Sequence, residues 1–530
     1  MTSNRSPKNI IIAIFMVVVI LVVVYLAYWQ FFRTKDVAEL VKDTTTLYLS
    51  VDLTKARNNQ DLTNLITNYG GVEILERNIG QLVLGSTFAL SGIESNYDWL
   101  GDNLTIVKQP ISADKDVFSI IMYMKDKEGA KNFLETSLKN ISTEEFNNHT
   151  IYQSGNPLYV AYTYLQDYVV FSESIDGVRQ IVDQSSSTKN SLAKTDFYKS
   201  TKKEINADTL ATLLTDGKNF LSIVSLGLPL DLESLIPETG TVNASLQFGA
   251  MLSQNSNGLS LSAFLPASNP EGNGLPKLSK INLAEFAPAN SKLYLEGSNI
   301  INILIPLFVG NEDPTQTIGN LQTILSLTKK VDLQADFIDN ISDSFAIVAT
   351  EKPNMDVSIP SNYFLTTVSN YWDVSLLVKS KDENKVMNAL DAIINLIIES
   401  NNSAITESAT TEGETTELVN EEIKYGDSTI THYEAGLLDL YVTPLQETIV
   451  LATNIEGIKN IIDVTTGKVE SLSKVTDFKK NTDATFESAS DLEIHTFYYV
   501  NVDNKQIKNV TGVTGPKKSK SFFKGLINTK

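Results

Sequence analysis

Three of this chain's Ser-x-x-Lys segments, Ser186–Lys189, Ser191–Lys194 and Ser471–Lys474, are the nearest it comes to a nucleophile beside its own base. That spacing sets a lysine one helical turn from a serine it could deprotonate, as in the penicillin-recognising enzymes. The S-D-N and K-T-G partners of those enzymes are absent, and so is a G-x-S-x-G elbow. The simpler reading is a serine N-cap ahead of a short turn, with Leu192 or Leu472 packed beneath it. Paired carboxylates are the next chemistry to consider, since a glycoside hydrolase needs two of them flanking the bond it breaks. Asp98, Asp102, Glu144 and Glu145 are available, but among 63 acidic residues suggestive pairs arise by number alone, and a solvated acidic surface accounts for them. Asp339-Asn-Ile-Ser-Asp343 and the run Asp98 to Asp102 lack the D-x-[DN]-x-[DN]-G pattern of calcium loops. Neither phosphate-binding glycine pattern occurs.

Composition narrows the field further. The 530 residues include no cysteine and three histidines, His149, His432 and His495. Disulfides, thiolate metal sites and a cysteine nucleophile are therefore excluded, and few routes remain to a histidine metal centre or triad. A formal net charge of −20 disfavours nucleic acid as a partner, because phosphate binding needs a basic surface. No catalytic, cofactor-binding or metal-ligating residue is assigned, and the chain reads as a non-enzyme. The aromatic stretch Tyr159 to Tyr168 reads as strand tyrosines pairing across a sheet with their hydroxyls in water.

The elements that would position any site begin with a membrane segment. Residues 9–32 carry no charge, and Tyr25, Tyr28 and Trp29 gather at one end of the run. Roughly 20 apolar residues span a bilayer as a helix, and such rings favour its interface. A cleaved signal peptide would have a shorter apolar core and small residues after it; here Trp-Gln-Phe-Phe-Arg33 follows. Arg5 and Lys8 before the span nearly balance Arg33 and Lys35 after it. An acidic, cysteine-free domain behind a short tail (residues 1–8) fits an N-in, C-out anchor, with the large domain outside the cytoplasm.

An internal duplication organises the remainder. Leu165 to Asp183 aligns without a gap to Leu445 to Asp463. Each copy has a β-rich run, a helix N-cap candidate (Ser174 or Asn454) and apolar residues at helical spacing. Ser191–Phe197 mirrors Ser471–Phe478 with one inserted residue, and Asp116–Asp126 mirrors Trp372–Asp382, with Asp126 and Asp382 placed to cap the next helix. Leu47-Tyr-Leu49 matches Leu293-Tyr-Leu295, and Leu104–Val107 matches Phe345–Val348. The division that follows is a first repeat over 33–266, a breaker-rich linker over 267–287 and a second repeat over 288–503. A Thr/Ser/Glu-rich segment, 401–422, reads as a disordered acidic loop. Residues 504–530 read as a basic tail with seven lysines and no acid. The tail reads either as a plain solvated end or as a contact for anionic envelope polymer, lipid headgroups or the protein's own acidic face.

Several of these segments resemble a bacterial family classified as domain of unknown function 3352. They are Asp43–Leu53, Asp98-Trp-Leu-Gly-Asp102, Lys125–Phe133, the strand–helix unit ending at Asp183, Ser191–Phe197 and Asn257–Leu261. The resemblance covers roughly Asp43 to Phe478. It implies an anchored or exported envelope protein and carries over no catalytic residue. The expected fold is α+β: one N-terminal transmembrane helix, then two tandem related modules of antiparallel sheet with packed helices. The expected function is a single-pass, membrane-anchored envelope protein that binds or scaffolds another component. The alternative is a carboxylate-dependent hydrolase of envelope polysaccharide or peptide.

Overall fold

The computed structural model describes residues 36–59, 98–112, 115–137, 141–153, 161–187, 189–205, 207–216, 247–255, 258–266, 277–278, 280–298, 300, 314–352, 372–408, 419–435, 438–502, 507–517 and 520–529. The proposed anchor, 9–32, lies outside them. Among the described residues no helix is long and apolar enough to cross a membrane. The chain forms two compact units, residues 1–58 with 72–206, and 59–71 with 207–530.

The first unit contains strands β1 (Leu47–Asp52), β2 (Leu100–Ser112), β3 (Lys115–Met124), β4 (Ser142–Phe146), β5 (His149–Gln153), β6 (Ala161–Leu165) and β7 (Tyr168–Ser172). Its helices are α1 (Leu53–Asn58), α2 (Lys127–Ser137), α3 (Ile175–Ser186) and α4 (Asp196–Lys202). The strands form one antiparallel sheet in the order β4-β5-β6-β7-β3-β2-β1. Side chains alternate between the faces of a strand. One face sends Leu104, Met122, Tyr162 and Phe171 against Trp99 and against Ala130 and Leu134 of α2. The other face meets α3, which buries Val178, Ile181 and Val182. Both faces are covered, so β7 is buried at every position and its sequence is continuously apolar. Gly177 explains itself here: a Cβ at that position would stand 2.2 Å from Ser172 Oγ on the sheet beneath.

The second unit continues with β8 (Thr209–Asp216), β9 (Gln247–Asn255), β10 (Gly258–Pro266), β11 (Leu293–Ser298), β12 (Ile341–Glu351), β13 (Trp372–Ser380), β14 (Val419–Tyr425), β15 (Ser428–Ala435), β16 (Leu438–Leu445), β17 (Thr448–Ala452), β18 (Thr496–Asn501), β19 (Ile507–Lys517) and β20 (Lys520–Thr529). Its helices are α5 (Pro314–Thr328), α6 (Glu383–Ser408), α7 (Ile455–Thr465) and α8 (Thr476–Ser488). The antiparallel order is β8-β9-β10-β20-β19-β18-β11-β12-β13-β17-β16-β15-β14. β10 and β20 are the last strands of the two copies, and they pair over Leu259–Ile527 to Pro266–Lys520. Gly258, at the start of β10, has φ +129°, and a Cβ there would lie 2.4 Å from the Ile527 carbonyl oxygen. Only glycine lets the two backbones approach so closely there.

The duplication holds at the level of strand register. Leu47 stands opposite Lys108 as Leu293 stands opposite Ala349, and Ser119 opposite Ser172 as Ser375 opposite Ala452. Isolated bridges join Lys42 to Ser191 and Pro288 to Ser471. The expected caps form as well. Ser174 and Asn454 accept from the amides of Gly177 and Gly457 at 3.0 and 2.8 Å. Asp126 and Asp382 accept from Gly129 and Lys385 at 3.0 and 3.2 Å.

Several boundaries differ from the sequence reading. The inserted residue between Ser191–Phe197 and Ser471–Phe478 is not needed: the N-cap of α4 is Thr195 and that of α8 is Val475, so Tyr198 matches Phe478. The span 267–287 is not all linker. Leu278 donates to the Ile494 carbonyl at 2.7 Å, and a 3-10 turn, Leu283–Glu285, takes the place that Val37–Glu39 has in the first copy. Its apolar residues Leu283, Ala284, Phe286 and Ala287 are buried, so the second copy begins ahead of residue 288. The acidic segment 401–422 is ordered at both ends, because α6 continues to Ser408 and β14 starts at Val419.

Within the expected tail, 504–530, the described residues 507–517 and 520–529 are strands of the sheet and not a tail. β19 and β20 bury Val513, Phe522 and Leu526, and three of their lysines are partnered within the fold. Lys517 and Lys524 each reach Asp491 at 2.6 Å, and Lys508 reaches Asp477 at 2.5 Å. The charge count hid apolar positions whose lysine neighbours neutralise acids of α8 and the turn after it. Finally, compact units and repeats divide the chain differently. The first repeat, 33–266, ends in β8–β10, which belong to the second unit because β10 pairs with β20.

Candidate functional site: a carboxylate cluster built twice

In the first copy a 3-10 turn, Val37–Glu39, is capped by Asp36, whose Oδ1 accepts from the Ala38 amide at 3.1 Å. α4 brings two side chains to the same carboxylate, one helical turn apart. The Tyr198 hydroxyl donates at 2.8 and 2.9 Å, and Lys202 Nζ approaches to 2.5 Å. Tyr48 from β1 stands edge-on to Tyr198, ring centroids 6.0 Å apart. Burial pushes the Asp36 carboxyl up, but the hydrogen bond and charge of Lys202, with Tyr198 and Ala38, outweigh it and hold it below the ordinary value.

In the second copy the parts change places. The turn's leading residue is Asn282, and the carboxylate comes instead from Glu296 on β11, where the first copy has Ser50. Glu296 is fully buried. It accepts from the Asn282 amide at 2.9 Å, from the Leu283 amide at 3.1 Å and from the Tyr294 hydroxyl. Tyr294 matches Tyr48 and stands edge-on to Phe478 at 5.8 Å, reproducing the Tyr48–Tyr198 contact. Burial raises the Glu296 carboxyl above its ordinary value despite these three donors, and burial beside Glu296 raises Tyr294 well above its own.

The two clusters differ in one further respect. Thr482 and Asp483 stand where the first copy has Lys202 and Lys203. Here a cleft of about 470 Å³ opens beside the turn. Ile281, Phe478 and Phe486 contribute apolar surface, and Lys280, Lys479 and Asp483 contribute charge. Such a cleft can hold a small amphipathic molecule by its apolar part and its charged end.

The residues singled out from sequence are not brought together. Ser191 and Ser471 are buried while Lys194 and Lys474 are exposed, and each pair spans a 3-10 turn rather than an α-helix. Leu192 and Leu472 pack beneath as expected, but neither serine side chain caps a turn amide, and the Ser471 hydroxyl pairs instead with that of Ser473 at 2.9 Å. Glu144 is held by Arg179 at 2.5 Å and Glu145 accepts from Thr150 at 2.7 Å; as neighbours on β4 they face opposite ways. Trp99, beside Asp98 and Asp102, is a packing residue, 5.8 Å from the Phe133 ring. Asp339 accepts from Gln334 at 2.7 Å. The tyrosines of β6 differ from expectation: Tyr162 is buried, stacked 4.7 Å from Tyr152 and 5.4 Å from Phe171, and the Tyr162 and Tyr164 hydroxyl oxygens are shielded from water. Both faces of this sheet are covered, and that is the reason.

Sequence matching missed the carboxylate clusters. It aligned Tyr48 with Tyr294, but the acid moves between two positions, Asp36 exchanging for Asn282 as Ser50 exchanges for Glu296. That compensated exchange was the available signal. Asp36→Asn is expected to cost about 1 kcal/mol at neutral pH, since Lys202 is half-exposed and screened. A depressed carboxylate stabilises above its unfolded value near 3.8 and loses that contribution as pH falls through the folded value. The urea midpoints of the two proteins should therefore converge as the pH is lowered below 3.8 and through the folded value.

Two matched pairs of caps, two carboxylate clusters and matched registers define a duplicated, sheet-rich protein with antiparallel strands and packed helices. The chain belongs to the family described as Protein of unknown function (DUF3352), whose model matches residues 10–491. No curated protein matches it. Among solved structures it is similar to TP0453 in crystal form I, at 11% identity and TM-score 0.26, covering 47% of this chain and 82% of that one. Crystal form III of TP0453 gives 14% identity and TM-score 0.26, covering 47% and 83%.

Proposed function

We propose that this chain is a single-pass, membrane-anchored envelope protein whose duplicated domain lies outside the cytoplasm and binds or scaffolds another envelope component without breaking bonds in it. The observation that carries this reading is the attachment of the fold to the apolar run. Residues 9–32 end three residues before Asp36 begins its clamp with Tyr198 and Lys202. Three residues reach at most roughly 11 Å, so a helix over 9–32 holds the first unit at the bilayer surface. Glu144, Glu145 and Asp339 are engaged by Arg179, Thr150 and Gln334, Ser191 and Ser471 sit buried ahead of 3-10 turns, and the cleft beside Phe478 suits binding.

Crosslinking in intact cells followed by pull-down of the full chain is expected to recover an envelope component. Purified full chain mixed with isolated envelope material is expected to sediment with it and to release no soluble sugar or peptide. Steady release of fragments would replace this reading with that of a carboxylate hydrolase.

A further inference from the structure

We propose that α4 and the turn before it form a basic face that lies on anionic lipid headgroups of the membrane holding the anchor. The inference rests on the anchored reading above and adds to it which surface meets the bilayer. Between Lys189 and Ile205 five lysines (Lys189, Lys194, Lys199, Lys202, Lys203) face two acids, Asp196 and Glu204, a net charge of +3 along the segment and +2 once the Asp36 carboxylate on Lys202 is counted, on a chain of −20. All five lysines are exposed. Lys199 has only Asp196, itself fully exposed, at 3.7 Å, and Lys189, Lys194 and Lys203 form no ion pair among the described residues.

The second copy provides an internal control. Its matching stretch, Val469–Thr485, carries three lysines and three acids and is neutral. The same backbone elements are therefore basic only in the copy that follows the apolar run. Position agrees with charge: Lys202 grips Asp36 itself, so this face lies where the chain enters the fold, within reach of the three-residue tether. Ile205, 38% exposed, adds an apolar side chain next to Lys202 and Lys203. A lysine close to an anionic leaflet contributes about 1 kcal/mol, or roughly fivefold each in the docked population.

The test uses the full chain in lipid nanodiscs of phosphatidylcholine, with or without phosphatidylglycerol, and maps lysine acylation by mass spectrometry. Expected is a severalfold slower modification of Lys194, Lys199 and Lys203 in the anionic discs only, with Lys474 and Lys479 unchanged. The triple variant Lys194→Glu, Lys199→Glu, Lys203→Glu leaves Lys202 on Asp36, and its circular dichroism should match the parent. It should lose the docked state on the order of a hundredfold, read as Lys189 labelling at the neutral-disc rate. Equal labelling in both discs, equal protection of the second copy, or protection that requires added soluble anionic polymer instead of lipid would overturn the proposal while leaving the anchor intact. Failure of the chain to co-elute with either disc would remove the anchored reading, and this inference with it.

Discussion

Truncation after residue 503 is expected to abolish folding of the second unit, not to trim it. The deleted segment supplies β19 and β20, which lie between β18 and β10 and so join the second copy's sheet to the last strand of the first copy. Loss of both exposes two sheet edges and uncovers Phe264, which packs on Phe522 at 5.5 Å. It also removes the buried side chains of Val513, Phe522 and Leu526. Each large apolar side chain contributes ~1.5–3 kcal/mol on burial, and two strand ladders vanish with them. The sum is comparable to the whole ~5–15 kcal/mol of a typical domain. Limited proteolysis is the direct measurement. The truncated chain should be cleaved rapidly within 247–266 and 419–502 while 98–187 stays protected. Unaltered protection of all three regions would return residues 504–530 to the status of a tail.

Replacement of Glu296 should have the next largest effect. Glu296→Ala leaves two backbone amides and the Tyr294 hydroxyl without their acceptor in a buried site, and opens a cavity besides. A loss of about 3–5 kcal/mol follows, from unsatisfied donors and lost packing together. Glu296→Gln should cost less, and its cost should depend on pH in a definite direction. Burial raises the carboxyl above its ordinary value of 4.5, so the folded state holds its proton more tightly than the unfolded state. The wild type therefore loses stability as pH rises from 4.5 through the folded value, and is free of that penalty below 4.5. The glutamine variant lacks this term. Chemical denaturation at several pH values should show the wild type gaining on the variant as the solution is acidified towards 4.5. A constant difference across that range would contradict the burial of a titrating carboxylate.

These two cases mark where sequence was informative and where it was not. Ser174, Asn454, Asp126 and Asp382 could be assigned as caps because a cap is a local pattern, one side chain and an amide two or three residues on. The duplication was legible because register depends on alternating apolar positions, which survive divergence. The buried Glu296 was not legible, since its partners Asn282 and Leu283 are 14 and 13 residues away, and its counterpart in the first copy sits on a different element. The lysines of β19 and β20 misled for a related reason: net charge along a segment says nothing of acids brought close by folding, as Asp491 is to Lys517 and Lys524. Tyr162 misled because one strand does not announce that both faces of its sheet are covered.

The absence of cysteine gives the central claim a clean test. Thr136 and Ser490 are exposed, one in each unit. Thr136→Cys and Ser490→Cys, made separately in the full chain, can be exposed to a maleimide that does not cross the cytoplasmic membrane. The account expects both to be labelled in cells whose outer layers are open and whose cytoplasmic membrane is intact, with no increase on lysis. Labelling of either position only after lysis would place the domain on the cytoplasmic side and contradict the account.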